Sequence, residues 1–146
     1  MPFIELPKTA DGIVFNNRTN DSHFGKRETI DALLRVGRLW RQKYYAVSVS
    51  VGQISRKNGG KFPPHSSHRL GVDVDIRPMR NDLKNAPVTY TDKANYNRDL
   101  TRELIRMMRA NAKVKLVLFN DPVLIAEGLC RHYAGHDNHL HFRFSY

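Results

Sequence analysis

Apolar residues recur at steps of three and four along three segments of the chain, and this period predicts helices. The three segments are residues 22–44, 92–111 and 122–130. Asp21 or Ser22 is expected to cap the first helix, and Asp92 is expected to cap the second. The third helix is short, and we expect it to bury Cys130 at its end.

Other segments have the patterns of β-strands. Residues 45–51 and 72–76 alternate between apolar and polar side chains, and two further strands are expected at residues 114–119 and 139–144. The first 22 residues are rich in Asn, Asp, Thr and Pro, which predicts an irregular leading segment. Helices and strands of unequal spacing predict an α+β fold: one domain over residues 1–146, with a small antiparallel sheet flanked by helices.

Composition narrows the class of protein. The hydrophobic fraction of 40% and the charged fraction of 26% are those of a globular chain, which excludes disorder throughout. The 24 Lys and Arg residues outnumber the 14 Asp and Glu residues, so the net charge is +10. This excess favours an anionic partner: nucleic acid, a membrane surface or a bacterial wall. With Cys130 as the single cysteine, an intramolecular disulfide and a cysteine-rich zinc site are excluded.

The N-terminal sequence predicts where the protein is made. Residues 1–7 lack the basic and apolar regions of a signal peptide, and no stretch reaches the roughly 18 apolar residues of a membrane helix. We therefore expect synthesis in the cytoplasm without a signal peptide. An action outside the cytoplasm would then require release or injection by another route.

The distribution of histidines indicates a site of chemistry. Five of the seven histidines form two groups: His65 with His68, and His136 with His139 and His141. The other two, His23 and His132, stand alone, and we expect them to be surface or packing residues. In the predicted last strand, the period of two places His139 and His141 on one face, behind which residues 140, 142 and 144 form an apolar face. Paired imidazoles on a strand face are typical of a metal or proton-transfer site.

The strand at residues 72–76 complements this pair. It places Asp73 and Asp75 side by side on one face, and two neighbouring carboxylates repel each other unless a cation or a proton lies nearby. Gly71 allows a turn through which His68 folds back over this strand. Two imidazoles and one carboxylate form a ligand set for catalytic zinc, which leaves an open position for water.

At these residues the sequence resembles the penicillin-insensitive murein endopeptidases, within the wider group of lysostaphin-like, D-Ala-D-Ala metallopeptidase and hedgehog-like zinc folds. The pattern of the group is His-x6-Asp followed late in the chain by His-x-His, at residues 68–75 and 139–141 here. The narrower endopeptidase pattern is matched by residues 51–55, by the Gly59-Gly60 pair, by His65 three residues before His68, and by His136. The resemblance extends from about Val47 to Phe144.

The resemblance implies a role for each of these residues. The implied zinc ligands are His68, Asp75 and His141. The implied catalytic or site-lining residues are His139, His136 and His65. The sequence departs from the family at Gln53, where an acidic residue is expected, and in lacking the cysteines that staple the periplasmic enzymes.

Together these features predict a zinc-dependent endopeptidase that hydrolyses peptide cross-links of peptidoglycan. We expect His139 to act as the general base and His136 to stabilise the oxyanion. A phage endolysin is the expected context: a monomer with no nucleic-acid partner, in electrostatic contact with an anionic wall or membrane surface. Three alternatives stay open: an injected wall-degrading toxin with the same chemistry, a metal-dependent nuclease favoured by the positive charge, and a non-catalytic zinc-binding module.

Overall fold

The computed structural model of the protein describes residues 3–16, 22–60, 68 and 70–146. Within these ranges the helices are α1 (Arg27–Lys43), α2 (Arg98–Asn111) and α3 (Pro122–Ala126). The strands are β1 (Ile4–Glu5), β2 (Ile13–Phe15), β3 (Phe24–Gly25), β4 (Val49–Val51), β5 (Asp73–Ile76), β6 (Val114–Leu118) and β7 (Leu140–Phe144). None of the helices in the described ranges combines the length and the apolar character needed to cross a lipid bilayer.

The strands form two sheets. β1 and β3 make a small antiparallel pair, and a five-stranded sheet has the order β2-β4-β5-β7-β6. In the larger sheet β2 and β4 run parallel, whereas β4, β5, β7 and β6 are joined by antiparallel pairings. The predicted α+β class is confirmed. β5 and β7, which carry the predicted ligands Asp75 and His141, are antiparallel as expected, but they belong to the larger mixed sheet.

One hydrophobic core joins this sheet to the helices. α1 contributes Trp40 and α2 contributes Leu104, both with no exposed surface. The apolar faces of β5 and β7 meet the same cluster through Val74 and Phe142, which are also fully buried. Because successive side chains of a strand point to opposite faces, the polar residues of β5 and β7 lie on the side away from this core.

The segment before α1 differs from the prediction. Residues 1–22 are not irregular throughout, because β1 and β2 lie within them. α1 begins at Arg27 and not directly after Ser22, since residues 24–25 pair with β1 as β3. Ser22 is buried and its carbonyl accepts a hydrogen bond from the Ile54 N–H, so it does not cap the helix. The alternative cap, Asp21, lies outside the described residues.

The ends of α2 and α3 also differ from the prediction. α2 begins at Arg98, where the Asn97 side chain accepts a hydrogen bond from the Leu100 N–H. Asp92, the expected cap, instead holds a turn by accepting hydrogen bonds from the backbone and side chain of Asn95. α3 ends at Ala126, two residues before Gly128, which has a left-handed φ of 77°.

The turn predicted at Gly71 is confirmed. Its φ is 69°, in the left-handed region that favours glycine. A Cβ at this position would lie 2.8 Å from the Phe3 ring and 2.9 Å from the Lys26 nitrogen. The Gly71 carbonyl accepts a hydrogen bond from that Lys26 N–H. The chain turns at this glycine between His68 and β5, and His68 lies beside the β5 residue Asp75, where the predicted site is located.

Candidate metal centre

The register between β5 and β7 assembles the polar face of the site. Asp75 pairs with His141, and Asp73 pairs with Arg143. Residues directly opposite each other on antiparallel strands have neighbouring side chains on the same face. The two strand patterns read from the sequence therefore combine into a single cluster, backed by the buried Phe142.

The three predicted metal ligands lie together. One donor atom from each of His68, Asp75 and His141 falls within 4.8 Å of the other two. The Oδ1 atom of Asp75 is 3.3 Å from His68 Nε2 and 3.3 Å from His141 Nδ1. Both imidazoles are buried, and the Asp75 side chain is 15% exposed. The cluster is thus enclosed by protein but reachable from solvent at the carboxylate.

A second partner fixes the orientation of each imidazole. His68 Nδ1 lies 2.5 Å from the carbonyl oxygen of Ile54, and His141 Nε2 lies 2.8 Å from Asp73 Oδ1. Because a carbonyl or a carboxylate accepts hydrogen bonds, these nitrogens carry the protons of the neutral rings. The lone pairs are then on His68 Nε2 and His141 Nδ1, the atoms that face Asp75. This donor set fits a divalent metal such as zinc, whose histidine ligands are usually held in this way.

The same contacts shift the pKa values of the cluster. Burial raises the pKa of the Asp75 carboxyl, but hydrogen bonds from His141 and His68 lower it further than burial raises it, so the net shift is well below the ordinary range. Burial lowers the pKa of His141, but hydrogen bonds to Asp73 and Asp75 raise it to about 9. Without a cation His141 Nδ1 therefore also carries a proton, and a bound metal would replace that proton and use the lone pair. The cluster therefore holds an ionised carboxylate, the form that binds a cation.

His139 and His136 lie beside the cluster. His139 Nε2 is 3.9 Å from Asp75 Oδ1, and its side chain is 29% exposed. The ring centroids of His139 and His136 are 4.4 Å apart, and that of His136 is 5.9 Å from that of His141. Burial, reinforced by the neighbouring imidazoles, lowers the pKa of His139, although Asp75 opposes the shift. A neutral imidazole at this position can accept a proton near neutral pH.

Two clefts flank the cluster. The first, which we call the amide cleft, measures about 300 Å³ and is lined by Asp75 and His139 together with the amide side chains of Asn16, Gln53 and Asn138. The second, the arginine cleft, measures about 220 Å³. Its polar lining consists of Arg131, Tyr133, His136, His141 and Arg143. Asp75 lines one cleft and His141 lines the other, so both clefts reach the cluster, each at a different residue.

The remaining predicted residues have different outcomes. His65, expected to line the site, lies outside the described residues. His23 is a buried packing residue as expected, stacked on Phe15 with ring centroids 3.8 Å apart, and His132 is exposed. Cys130 is buried, which raises the pKa of its thiol to about 12 and confirms a core role.

Sequence reasoning missed several contributors to the site. Asp73 was paired with Asp75, but its contacts with His141 and Arg143 depend on a strand register that the sequence does not specify. Arg143 follows His139 and His141 at steps of two, and this alternation was the one sequence feature that placed it on the face of the histidines. Arg131 and Tyr133 follow α3 in an irregular segment, and no sequence pattern connects that segment to the histidines.

Comparison with known proteins agrees with this geometry. The family described as Penicillin-insensitive murein endopeptidase matches residues 3–146, nearly the whole chain. No functionally curated protein matches the sequence. The matched family consists of metallopeptidases that cleave the peptide part of cell-wall peptidoglycan, and the His68–Asp75–His141 cluster supplies a possible metal site. The chain belongs to the penicillin-insensitive murein endopeptidase family.

Proposed function

We propose that this murein endopeptidase is a zinc enzyme that hydrolyses peptide cross-links in peptidoglycan. The observation that carries the proposal is the cluster of His68, Asp75 and His141, in which a second hydrogen bond orients each imidazole toward the carboxylate. Two nitrogen donors and one oxygen donor match the three protein ligands common in catalytic zinc sites. Bound zinc would supply a Lewis acid and make water acidic enough to attack an amide near neutral pH.

His139 is the proposed general base. Its Nδ1 lies 2.9 Å from Asn138 Oδ1, so this nitrogen carries the proton of the neutral ring. Nε2 then has the lone pair and faces the cluster, 3.9 Å from Asp75 Oδ1. From there it can take a proton from the attacking water and pass it to the leaving amine.

His136 has the neighbouring role of stabilising negative charge. Its Nδ1 lies 3.1 Å from the Ala134 carbonyl oxygen and donates a hydrogen bond to it. In the neutral ring Nε2 would have a lone pair and could not donate. To donate to an oxyanion, His136 would have to do so through an N–H on Nε2.

The substrate peptide is proposed to cross the cluster from one cleft to the other. The amide cleft offers Asn16, Gln53 and Asn138, whose side chains can both donate to and accept from a peptide backbone. The arginine cleft includes His141 in its lining. A peptide seated in both would place one amide bond over the metal ligands, next to His139.

The test uses metal-free protein, the same protein with zinc restored, and purified sacculi. We expect muropeptide release only with zinc, and mass spectrometry of the fragments identifies the bond that is cut. His139→Ala should lower the rate by about 100-fold or more, the size of a general-base contribution. His132→Ala is the matched control, because it removes an exposed histidine outside both clefts.

The same preparations separate the alternatives. A zinc-dependent nick in plasmid DNA, with intact sacculi, would support the nuclease instead. Zinc binding without any hydrolysis would support the non-catalytic module. Equal loss of activity in the two histidine variants would contradict the role given to His139.

We further propose that the enzyme is lytic, in the manner of a phage endolysin, and that its basic surface adheres to the anionic wall. The net charge of +10 supports this contact, and α1 exposes Arg27, Arg38 and Arg41. Raising the ionic strength from about 0.01 M to about 1 M shortens the Debye length from about 30 Å to about 3 Å and should release the protein from sacculi. Retention at high salt would contradict the electrostatic contact.

A second experiment separates the endolysin from the injected toxin. Added together with a pore-forming agent, the protein should lyse cells if it is an endolysin. A toxin is proposed to need its secretion machine in order to reach the wall.

A further inference from the structure

The arginine cleft combines two guanidinium groups with a position next to the metal ligands. Arg131 and Arg143 both line it, and His141 forms part of its wall. Among the described residues, no carboxylate side chain lines this cleft. A small concave site with two cations and no lining anion is complementary to an anionic group of a ligand.

Arg143 is held in place for such a contact. Its Nε donates a hydrogen bond to Asp73 Oδ1 at 2.8 Å, and its side chain is 33% exposed. Within the described part of the chain this is the one hydrogen bond of that guanidinium. A guanidinium has five N–H donors, so the donors on the two terminal nitrogens are available to a ligand. Asp73 thus orients Arg143 and His141 at the same time.

Arg131 brings the second positive charge. Its N–H donates to the Val117 carbonyl at 2.9 Å, and its carbonyl accepts from the Phe119 N–H at 3.0 Å, which fixes the backbone beside β6. Leu118 of β6 forms a β-bridge with Arg131 on one side and pairs with His141 of β7 on the other. The Arg131 side chain makes no hydrogen bond or ion pair with any described residue. Its charge is therefore uncompensated at the wall of the cleft.

We propose that Arg131 and Arg143 form a subsite that binds a carboxylate of the substrate peptide close to the scissile amide. The proposal rests on the proposed function, because it assigns this part of the peptidase site to the substrate. Arginine is suited to this contact, since its planar fork matches the two oxygens of a carboxylate. Murein peptides retain free carboxylates, whereas an ordinary peptide segment has none in its backbone.

The subsite would fix the register of the substrate. With its carboxylate held in the arginine cleft beside His141, the peptide would extend across the metal ligands toward the amide cleft. This contact forms on binding and does not involve the reacting atoms. Its loss should therefore raise KM more than it lowers kcat, and peptides without the carboxylate should be poor substrates.

The experiment compares two soluble substrates and three forms of the zinc-loaded enzyme. The substrates are disaccharide-peptide dimers released from sacculi by a muramidase, with their carboxylates either free or converted to amides. The enzymes are the wild type, Arg131→Gln and Lys93→Gln. Lys93 is the matched control, since it is an exposed cation that lines neither cleft.

For the wild type and for Lys93→Gln, amidation should lower kcat/KM by about 10- to 100-fold, the size of a hydrogen-bonded charge contact. Arg131→Gln should cleave free dimers with a similarly reduced kcat/KM, mainly through KM, and should no longer discriminate between the two substrates. Its thermal unfolding and zinc affinity should match the wild type, because the Arg131 side chain is exposed and has no hydrogen bond or ion pair with the described residues. Arg143→Lys should weaken discrimination as well, and its zinc affinity is measured alongside because Asp73 also holds His141.

Three outcomes would overturn the subsite. The first is equal cleavage of free and amidated dimers by the wild type. The second is undiminished discrimination by Arg131→Gln. The third is inhibition by a short DNA duplex that disappears in Arg131→Gln, which would assign the cleft to nucleic-acid phosphate. If the zinc-loaded wild type cleaves neither substrate, the proposed function itself fails, a result distinct from these three.

Discussion

Two acidic residues, Asp75 and Asp121, have opposite roles in this fold. At the metal centre, Asp75 faces the imidazoles of His68 and His141. At the contact between α2 and α3, Asp121 is fully buried and accepts three hydrogen bonds. Its donors are the Tyr96 hydroxyl at 2.6 Å, Arg98 Nε at 2.8 Å and the Val123 N–H at 3.0 Å.

The roles differ because the partners differ, although Asp121 is also the more deeply buried of the two. The partners of Asp121 are a hydroxyl, a guanidinium and a backbone N–H, which donate to it and offer no metal-binding nitrogen. The partners of Asp75 are imidazoles whose other nitrogens are already engaged, so their lone pairs converge with the carboxylate. At both residues burial raises the pKa and the partners lower it further. A lowered pKa therefore does not separate a metal site from a structural contact, whereas the chemistry of the partners does.

The largest expected effect follows from removing the ligand charge. Asp75→Asn preserves the shape of the side chain but replaces an anionic ligand with a neutral amide. We expect muropeptide release to fall on the order of 1000-fold or more and the zinc-induced rise in Tm to disappear. Activity within about tenfold of the wild type would contradict the assignment of Asp75 as a ligand.

The matching change at the structural carboxylate should affect stability and not activity. Asp121→Ala leaves the Tyr96 hydroxyl buried without its acceptor and removes the cap of α3. The expected loss is about 2–4 kcal/mol of unfolding free energy, from one orphaned buried group and one lost cap. Denaturant unfolding measures this loss, and zinc affinity should stay that of the wild type.

A second substitution makes the comparison sharper. Asp121→Asn keeps one acceptor oxygen, which can either accept from Tyr96 or cap α3, because these two contacts use different oxygens of Asp121. It should therefore recover only part of the loss. If Asp121→Ala were as stable as the wild type, Asp121 would not have the structural role described here.

The three residues of the candidate metal site could be selected from the sequence because the features that mark them are local. A strand period of two placed each polar pair opposite an apolar face, and the resemblance supplied the choice of His141 over His139. The turn at Gly71 was predictable for a similar reason, because glycine tolerates a left-handed φ without steric cost. These features depend on few residues near each other in the chain.

What the sequence did not predict depends on contacts between distant segments. Asp121 was not identified, although it directly precedes Pro122, because its partners Tyr96 and Arg98 lie more than twenty residues earlier. The start of α2 was placed at Asp92 for a related reason. Asp and Asn both cap helices, and tertiary packing decided that Asp92 holds a turn while Asn97 caps.

A smaller effect is expected at Asp73, whose role lies between those of the other two. It accepts from His141 and from Arg143, so it orients a ligand without facing the metal position itself. Asp73→Asn should lower zinc affinity by about 10- to 100-fold, as measured by competition with a chelator. A variant that binds zinc as tightly as the wild type would show that the strand pairing alone orients His141.

The smallest expected effect is the pH dependence that Asp121 gives to stability. Burial raises the pKa of Asp121, but Arg98, Tyr96 and the Val123 N–H lower it below the unfolded value of about 3.9. The contribution of Asp121 to stability is therefore fully present above that pH and is lost as the pH falls through the lower pKa of the folded state.

The slope of stability against pH from one such group cannot exceed about 1.4 kcal/mol per pH unit. In denaturant unfolding between about pH 5 and pH 2, Asp121→Asn should lose stability less steeply than the wild type, by up to this amount. Because the partners of Asp121 belong to the protein and not to a metal, the same difference in slope should appear with and without zinc; a difference seen only in the zinc-free protein would show that the two carboxylate sites are coupled.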